Sequence, residues 1–234
     1  MDGWIQVDEA AERLGVHPSR VRLLAREGRL GARRLGRAWL IDAEELRRET
    51  DRPRHAGRPW LPHVAWAALL LLDGDHDGLL RLPDRARREL SGRVARAGSL
   101  AALAPRLSGR AEVRRYRAHP SVVVRLPADG AASGLAAAAA RGARLAVRQD
   151  DSADMYLPAA VTGRLVDRYQ FAPAVGGDAN VVLRVVPDDA WMLVDRELAP
   201  LAAVALDLAE HDDARTREAA RRLAGRVDAA WPQA

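Results

Sequence analysis

Punctuation near the N-terminus constrains this chain more than any other feature. Gly15, Pro18, Gly28 and Gly36 cut the opening stretch into pieces too short for any long helix. From Asp8 to Leu14, Ala10, Ala11 and Leu14 recur at helical spacing, and Asp8 and Glu9 suit the positive end of a helix. Gly15 stops that helix. Pro18, after His17, is well placed as the first residue of a second helix, predicted from Pro18 to about Glu27. Val21, Leu24 and Ala25 form its apolar stripe, which leaves Ser19, Arg20, Arg22, Leu23 and Arg26 facing outward. Gly28 closes it. Leu30 to Leu35 and Ala38 to Ile41 then read as two strands of a hairpin around Gly36 and Arg37. Asp42 caps a third helix, with Glu45 in the capping-box position.

Charge marks the same stretch. All 37 basic residues of the 234 are arginine, so arginine count carries no information and only placement does. Between Arg13 and Arg37, eight arginines face a single acid, Glu27, a local charge of +7. Between Pro187 and Asp213 the balance inverts, with eight acids against Arg196 and a local charge of −7. A compact element that excludes acids is suited to a polyanion.

Two short helices joined at a glycine-containing turn make a helix-turn-helix unit, whose second helix enters the major groove of DNA. The candidate DNA-binding residues on that helix are Ser19, Arg20, Arg22, Leu23 and Arg26. Arg33, Arg34 and Arg37, on or beside the hairpin, suit minor-groove or phosphate contact. The stretch VDEAAERLGVHPSRVRLLAREGRLGARRLGRAWLIDAEELRR resembles the excisionase and MerR-like winged helix domains. The expected fold class is therefore α+β, an N-terminal winged helix-turn-helix domain plus a larger mixed α+β domain. The expected boundaries are 1–50 for the first, 51–59 for a linker and 60–234 for the second.

The linker reading rests on Thr50 to Pro59, which is polar and carries two prolines and a glycine. Beyond it, Trp60 to Leu72 reads as an apolar helix. Arg81 to Ala118 is helical in pattern and carries a charge of +8, a solvated face or a second DNA contact. An Ala-rich helix is expected from Ala131 to Leu145. Strand, polar turn and strand follow over Leu145 to Leu157, then a helix over Pro158 to Tyr169. Asn180 to Val186 is a strong strand ended by Pro187. Leu201 to Glu210 and Arg215 to Val227 close the chain as helices.

Several chemistries find little support. There is no cysteine, which rules out disulfides and thiolate metal sites and fits a reducing compartment. Met1 to Asp8 lacks the basic and apolar regions of a signal peptide. The longest apolar run, Val64 to Leu72, has nine residues, whereas a membrane span needs about twenty. A soluble, cytoplasmic protein is expected. Asp73, Asp75 and Asp77, with Gly78, follow the spacing of a calcium loop, but Asp84 stands where a bidentate Glu is needed. A helix-capping acidic turn explains the same residues. His17, His55, His63, His76, His119 and His211 are scattered, and no nucleophile or phosphate-loop motif is present. No catalytic residue, metal or cofactor is therefore expected, and the protein is not expected to be an enzyme.

The segments RPWLPHVAWAALLLLDG, RLSGRAEVRRYRAHP and NVVLRVVPDDAWMLVDRELAPLAAVALDLAEHDDARTREAARRL resemble the AbiEi-like antitoxins of type IV toxin-antitoxin, or abortive-infection, systems. That resemblance implies a transcriptional autorepressor of its own operon and an antitoxin whose partner is a nucleotidyltransferase-like toxin. One small module makes few base contacts, so specificity calls for two modules, a homodimer on an inverted-repeat operator. Other readings stay open on sequence: direct blockade of the toxin by the acidic segment, an excisionase-like architectural role, or a metal-dependent enzyme.

Overall fold

The computed structural model describes residues 3–28, 30–36, 38–51, 58–123, 126, 130–143, 152–174, 178–211 and 213–232. It has the α+β architecture expected, a small N-terminal unit followed by a larger α+β region.

The N-terminal unit opens with strand β1 (Trp4–Gln6), which passes directly into helix α1 (Val7–Leu14). Gly15 takes a left-handed conformation with φ of 64°, and the amides of Gly15 and Val16 return to carbonyls of the last turn. Helix α2 (Pro18–Arg26) starts at once. His17 caps it through Nδ1, which accepts from the Ser19 amide at 3.3 Å, and Pro18 occupies the first turn, where no amide is needed. Strands β2 (Ala32–Leu35) and β3 (Ala38–Asp42) form the hairpin, turned at Gly36 with φ of 61°. Strand β1 adds to β3 on the far side, so the wing is a three-stranded antiparallel sheet of order β1-β3-β2. The third strand was not expected; three residues are too few to carry a period.

Helix α3 (Ala43–Asp51) follows with Asp42 as its cap: Oδ1 accepts from the amides of Glu44 and Glu45 at 2.9 and 3.0 Å. The Glu45 carboxylate lies against Gly31 and Arg115. Asp42→Ala should lower the stability of this unit by about 1 kcal/mol, and Asp42→Asn by clearly less, in a urea titration. Val7, Ala10, Ala11, Leu14, Val21, Ala25, Leu30, Ala32, Ile41 and Leu46 form its core.

The larger region is built round helix α4 (Pro62–Leu72), apolar on every face and buried from Ala65 to Leu70. The short α5 (His76–Leu79) leads to α6 (Asp84–Ala97) and α7 (Leu100–Leu107). The helical expectation over Arg81 to Ala118 holds only this far, because Glu112–Arg117 is strand β4. Its arginines sit at a spacing compatible with either state, and pairing with a neighbouring strand decides. Helix α8 (Pro120–Val123) repeats the cap of α2 in His119-Pro120-Ser121, with the Ser121 amide 3.3 Å from His119 Nδ1.

Strand β5 (Ala131–Ala132) precedes α9 (Gly134–Ala140), so the expected Ala-rich helix starts later and ends sooner. Small β5 side chains meet β6 (Ala153–Pro158), and backbone pairing wins over helix propensity there. The first strand and most of the polar turn expected over Gln149 to Ala153 lie outside the described residues, and Ala153 already belongs to β6. Helix α10 (Ala159–Tyr169) and β7 (Ala172–Pro173) bring the chain back to β8 (Val181–Val186). The helix makes β8 parallel to β6; every other pair in the sheet, ordered β5-β6-β8-β4-β7, is antiparallel. Helices α11 (Asp188–Trp191), α12 (Leu201–Ala209) and α13 (Ala214–Ala229) complete the region. Helices α4, α7, α12 and α13 share one apolar core with Tyr156 of β6. Tyr116, Met155, Leu165, Phe171 and Leu183 form a second, on the sheet's other side.

Candidate nucleic-acid interface

The amphipathic pattern of α2 positions the candidate reading residues. Val21 and Ala25 are buried and Leu24 packs against them, so Ser19, Arg20, Arg22, Leu23 and Arg26 are all exposed on the opposite side. Ser19, Arg22, Leu23 and Arg26 follow one another at helical spacing, with Arg20 on their flank. Ser19 has a second duty that sequence reasoning missed. Its hydroxyl is 2.9 Å from His17 Nδ1, so it braces the cap of the helix it belongs to.

Arg33 and Arg34 are exposed on β2. Strand alternation sends them to opposite faces of the wing, because their cross-strand partners are Leu40 and Trp39 respectively. Arg37, the third wing candidate, lies outside the described residues.

The fold thus defines a helix-turn-helix unit with a β wing and a basic, acid-free outer face on its second helix. Residues 4–48 match the family model of the helix-turn-helix domain. The N-terminal module is a helix-turn-helix domain, and DNA binding is the activity it points to. No curated protein and no solved structure matches the chain.

The second basic stretch has a different fate. Arg114 pairs with Glu112 at 2.9 Å, Arg115 with Glu45 at 3.7 Å, and Arg117 donates to the Asp178 carbonyl at 2.9 Å. Arg85 and Arg87 pair within α6 with Glu89 and Asp84. Three of the stretch's eleven arginines thus pair with its own acids, and Arg115 pairs with one outside it. The Arg115 amide also donates to the Gly28 carbonyl at 3.4 Å, which ties the end of α2 to β4.

The acidic turn is likewise occupied by protein donors. Asp73 accepts from the Leu201 amide at 2.7 Å and pairs with Arg141 at 3.3 Å. Asp75 caps α5 through the Gly78 amide and pairs with Arg196, both at 2.9 Å. Among the described residues no group of three or more His, Asp or Glu is placed to hold a metal ion. None of the helices described is long and apolar enough to cross a membrane. The Gly78 amide holds the Asp75 carboxyl below the usual carboxylate range; burial opposes this and Arg196 adds to it. A depressed folded-state pKa stabilises above the unfolded value of about 3.9, and that contribution is lost as pH falls through the folded value. Asp75→Asn should therefore flatten the acid end of the stability profile, read by thermal melts below about pH 4.

The feature that sequence reasoning missed altogether is a buried ionic cluster under the seam between the two units. Arg184 of β8 donates from Nε and Nη2 to Asp154 at 2.8 and 2.9 Å, and its Nη1 lies 2.9 Å from Asp207 and 3.0 Å from Glu210. Arg110 pairs with Asp207 and Glu210, and its Nε donates to the Tyr156 hydroxyl at 2.8 Å. Tyr156 and Ser133 donate to Asp207 from the other side. A small cavity of about 120 Å³ above it is lined from both units, by Gly28, Gly31 and Glu45 and by Arg115, Arg184 and Glu210 among others. A signal was present: Arg184 interrupts VVLRVV and Asp207 interrupts LAAVALDLA, and a charge inside an apolar run needs an opposite charge.

Proposed function

We propose that the protein is a sequence-specific DNA-binding autorepressor and the antitoxin of a toxin-antitoxin operon, partnered with a nucleotidyltransferase-like toxin. The observation that carries the DNA half is the outer face of α2, where Arg20, Arg22 and Arg26 stand exposed beside Ser19 and Leu23. Arginine at the N-terminal end of a recognition helix can reach guanine in bidentate fashion. Arg33 and Arg34, and Arg37 on the sequence reading, would hold the backbone beside the groove. A homodimer on an inverted repeat would multiply the few base contacts of one module. The antitoxin half rests on the likeness of residues 58 to 225 to AbiEi-like proteins.

Direct capture of a basic toxin by the acidic segment is the weaker reading. Asp207 and Glu210 belong to the buried cluster, Asp188 accepts from the Ala160 amide at 3.0 Å, and Asp213 caps α13. Half of the acids that motivated the idea are used within the fold.

The test is an anisotropy titration against DNA from upstream of the gene, with scrambled competitor, at two salt concentrations. Wild type should prefer its own sequence, and Arg20→Ala with Arg22→Ala should weaken that binding by about 1–3 kcal/mol per lost base contact. Equal binding to scrambled DNA that collapses with salt would reduce the module to a basic surface. In cells expressing the toxin, the same double variant should lose repression and keep protection.

A further inference from the structure

The outer face of the wing carries a contact that the sequence concealed. Ala32, Ile41 and Ile5 lie in one cross-strand row; Ile41 and Ala32 are buried, and Ile5 packs against the same core. The neighbouring row, Arg33, Leu40 and Gln6, therefore faces outward, and so does Trp4, two residues from Gln6 on β1. Trp4 and Arg33 thus stand on one face, two strands apart. The Arg33 side chain crosses the sheet, and its guanidinium carbon sits 4.4 Å from the centre of the Trp4 ring.

Stacking engages the guanidinium through its flat face. Its N–H groups point in the plane, so a stacked arginine keeps its donors for an anion. Arg33 forms no ion pair with an acid among the described residues. An exposed arginine otherwise loses considerable rotamer freedom when it grips a phosphate. The ring removes much of that cost beforehand.

We propose that Trp4 is a positioning residue that holds Arg33 as a phosphate clamp on the outer face of the wing, an inference that rests on the DNA-binding reading above. Arg34, on the opposite face, is then not interchangeable with Arg33. The strand β1 that adds Trp4 to the wing extends the DNA interface to the very start of the module.

The test compares wild type, Trp4→Leu, Trp4→Phe, Arg33→Ala and Trp4→Leu with Arg33→Ala, on the own upstream duplex over a range of salt. Leucine keeps an apolar group against the sheet without the ring, and melting curves confirm that each variant folds. Trp4→Leu is expected to weaken binding about 2- to 5-fold, with Trp4→Phe closer to wild type. Arg33→Ala should lower the slope of log affinity against log salt by about 0.9, one phosphate contact. The double variant should be no weaker than Arg33→Ala alone. The proposal is overturned if folded Trp4→Leu binds as wild type does, if Arg33→Ala leaves the salt slope unchanged, or if the two losses add. Wild type that fails to bind DNA at all sinks the DNA reading with it. Wild type that binds, is weakened by Arg20→Ala, and ignores Trp4→Leu sinks only the clamp.

Discussion

Replacing Arg184 with methionine is expected to destabilise the larger region by about 3–5 kcal/mol at neutral pH. Arg184 is 2 % exposed and is the shared counter-charge of Asp154, Asp207 and Glu210. Methionine fills much of the volume but leaves those carboxylates facing one another with Arg110 alone, away from water. Removing both partners together is a milder change than removing one, because no charge is then stranded. Arg184→Met with Asp154→Leu should accordingly recover part of the loss, and that recovery measures the coupling. Urea titrations followed by circular dichroism supply the numbers. The deficit should also depend on pH. Burial pushes the Asp154 carboxyl above its ordinary range, against the pull of Arg184. Without the arginine that rise is larger, and a raised folded-state pKa favours the folded state at low pH. The variant's deficit should be complete above that pKa and shrink as pH falls toward about 3.9. A loss under about 1 kcal/mol, with no pH dependence, would mean that Arg184 does not hold the cluster together.

Trp66→Ala should cost about as much, roughly 3–5 kcal/mol, for a different reason. Trp66 is wholly buried in α4, and its ring meets Tyr156 edge-on with centroids 4.7 Å apart. Its indole N–H donates to the Arg110 carbonyl at 2.8 Å. Alanine leaves a cavity between the helical core and the ionic cluster, and leaves that carbonyl without its donor. Trp66→Phe separates the two contributions. It keeps a ring in the core but cannot donate, so its cost should fall to about 1–3 kcal/mol, the range for a stranded buried polar group. Equal losses for alanine and phenylalanine would assign the effect to the hydrogen bond; a negligible loss for phenylalanine would assign it to packing.

Period and punctuation made much of the fold legible. Helices α1, α2, α4, α10, α12 and α13 and strand β8 lie within a few residues of where their apolar spacing places them. The outer face of α2 follows from Val21 and Ala25 alone, since burying them turns Arg20, Arg22 and Arg26 outward. Strand β1 is too short to show alternation. Strand β4 hides behind arginines that suit a helix equally well, and only its register against β8 makes it a strand.

Arg184 and Asp207 stand out in their apolar runs, but the pairing within the buried cluster and the Trp4–Arg33 stack had no local signature. Their partners come from separate segments, as with Arg110 and Asp207, 97 residues apart. The sequence by itself determined the local elements, the helix-turn-helix unit and the sign of its exposed face, because these depend on residues a few positions apart. Tertiary structure decided which arginines are spent on internal carboxylates and which remain exposed. A charge in an apolar run announces that it needs a partner, but only the packing of distant elements, where water is excluded, selects the partner.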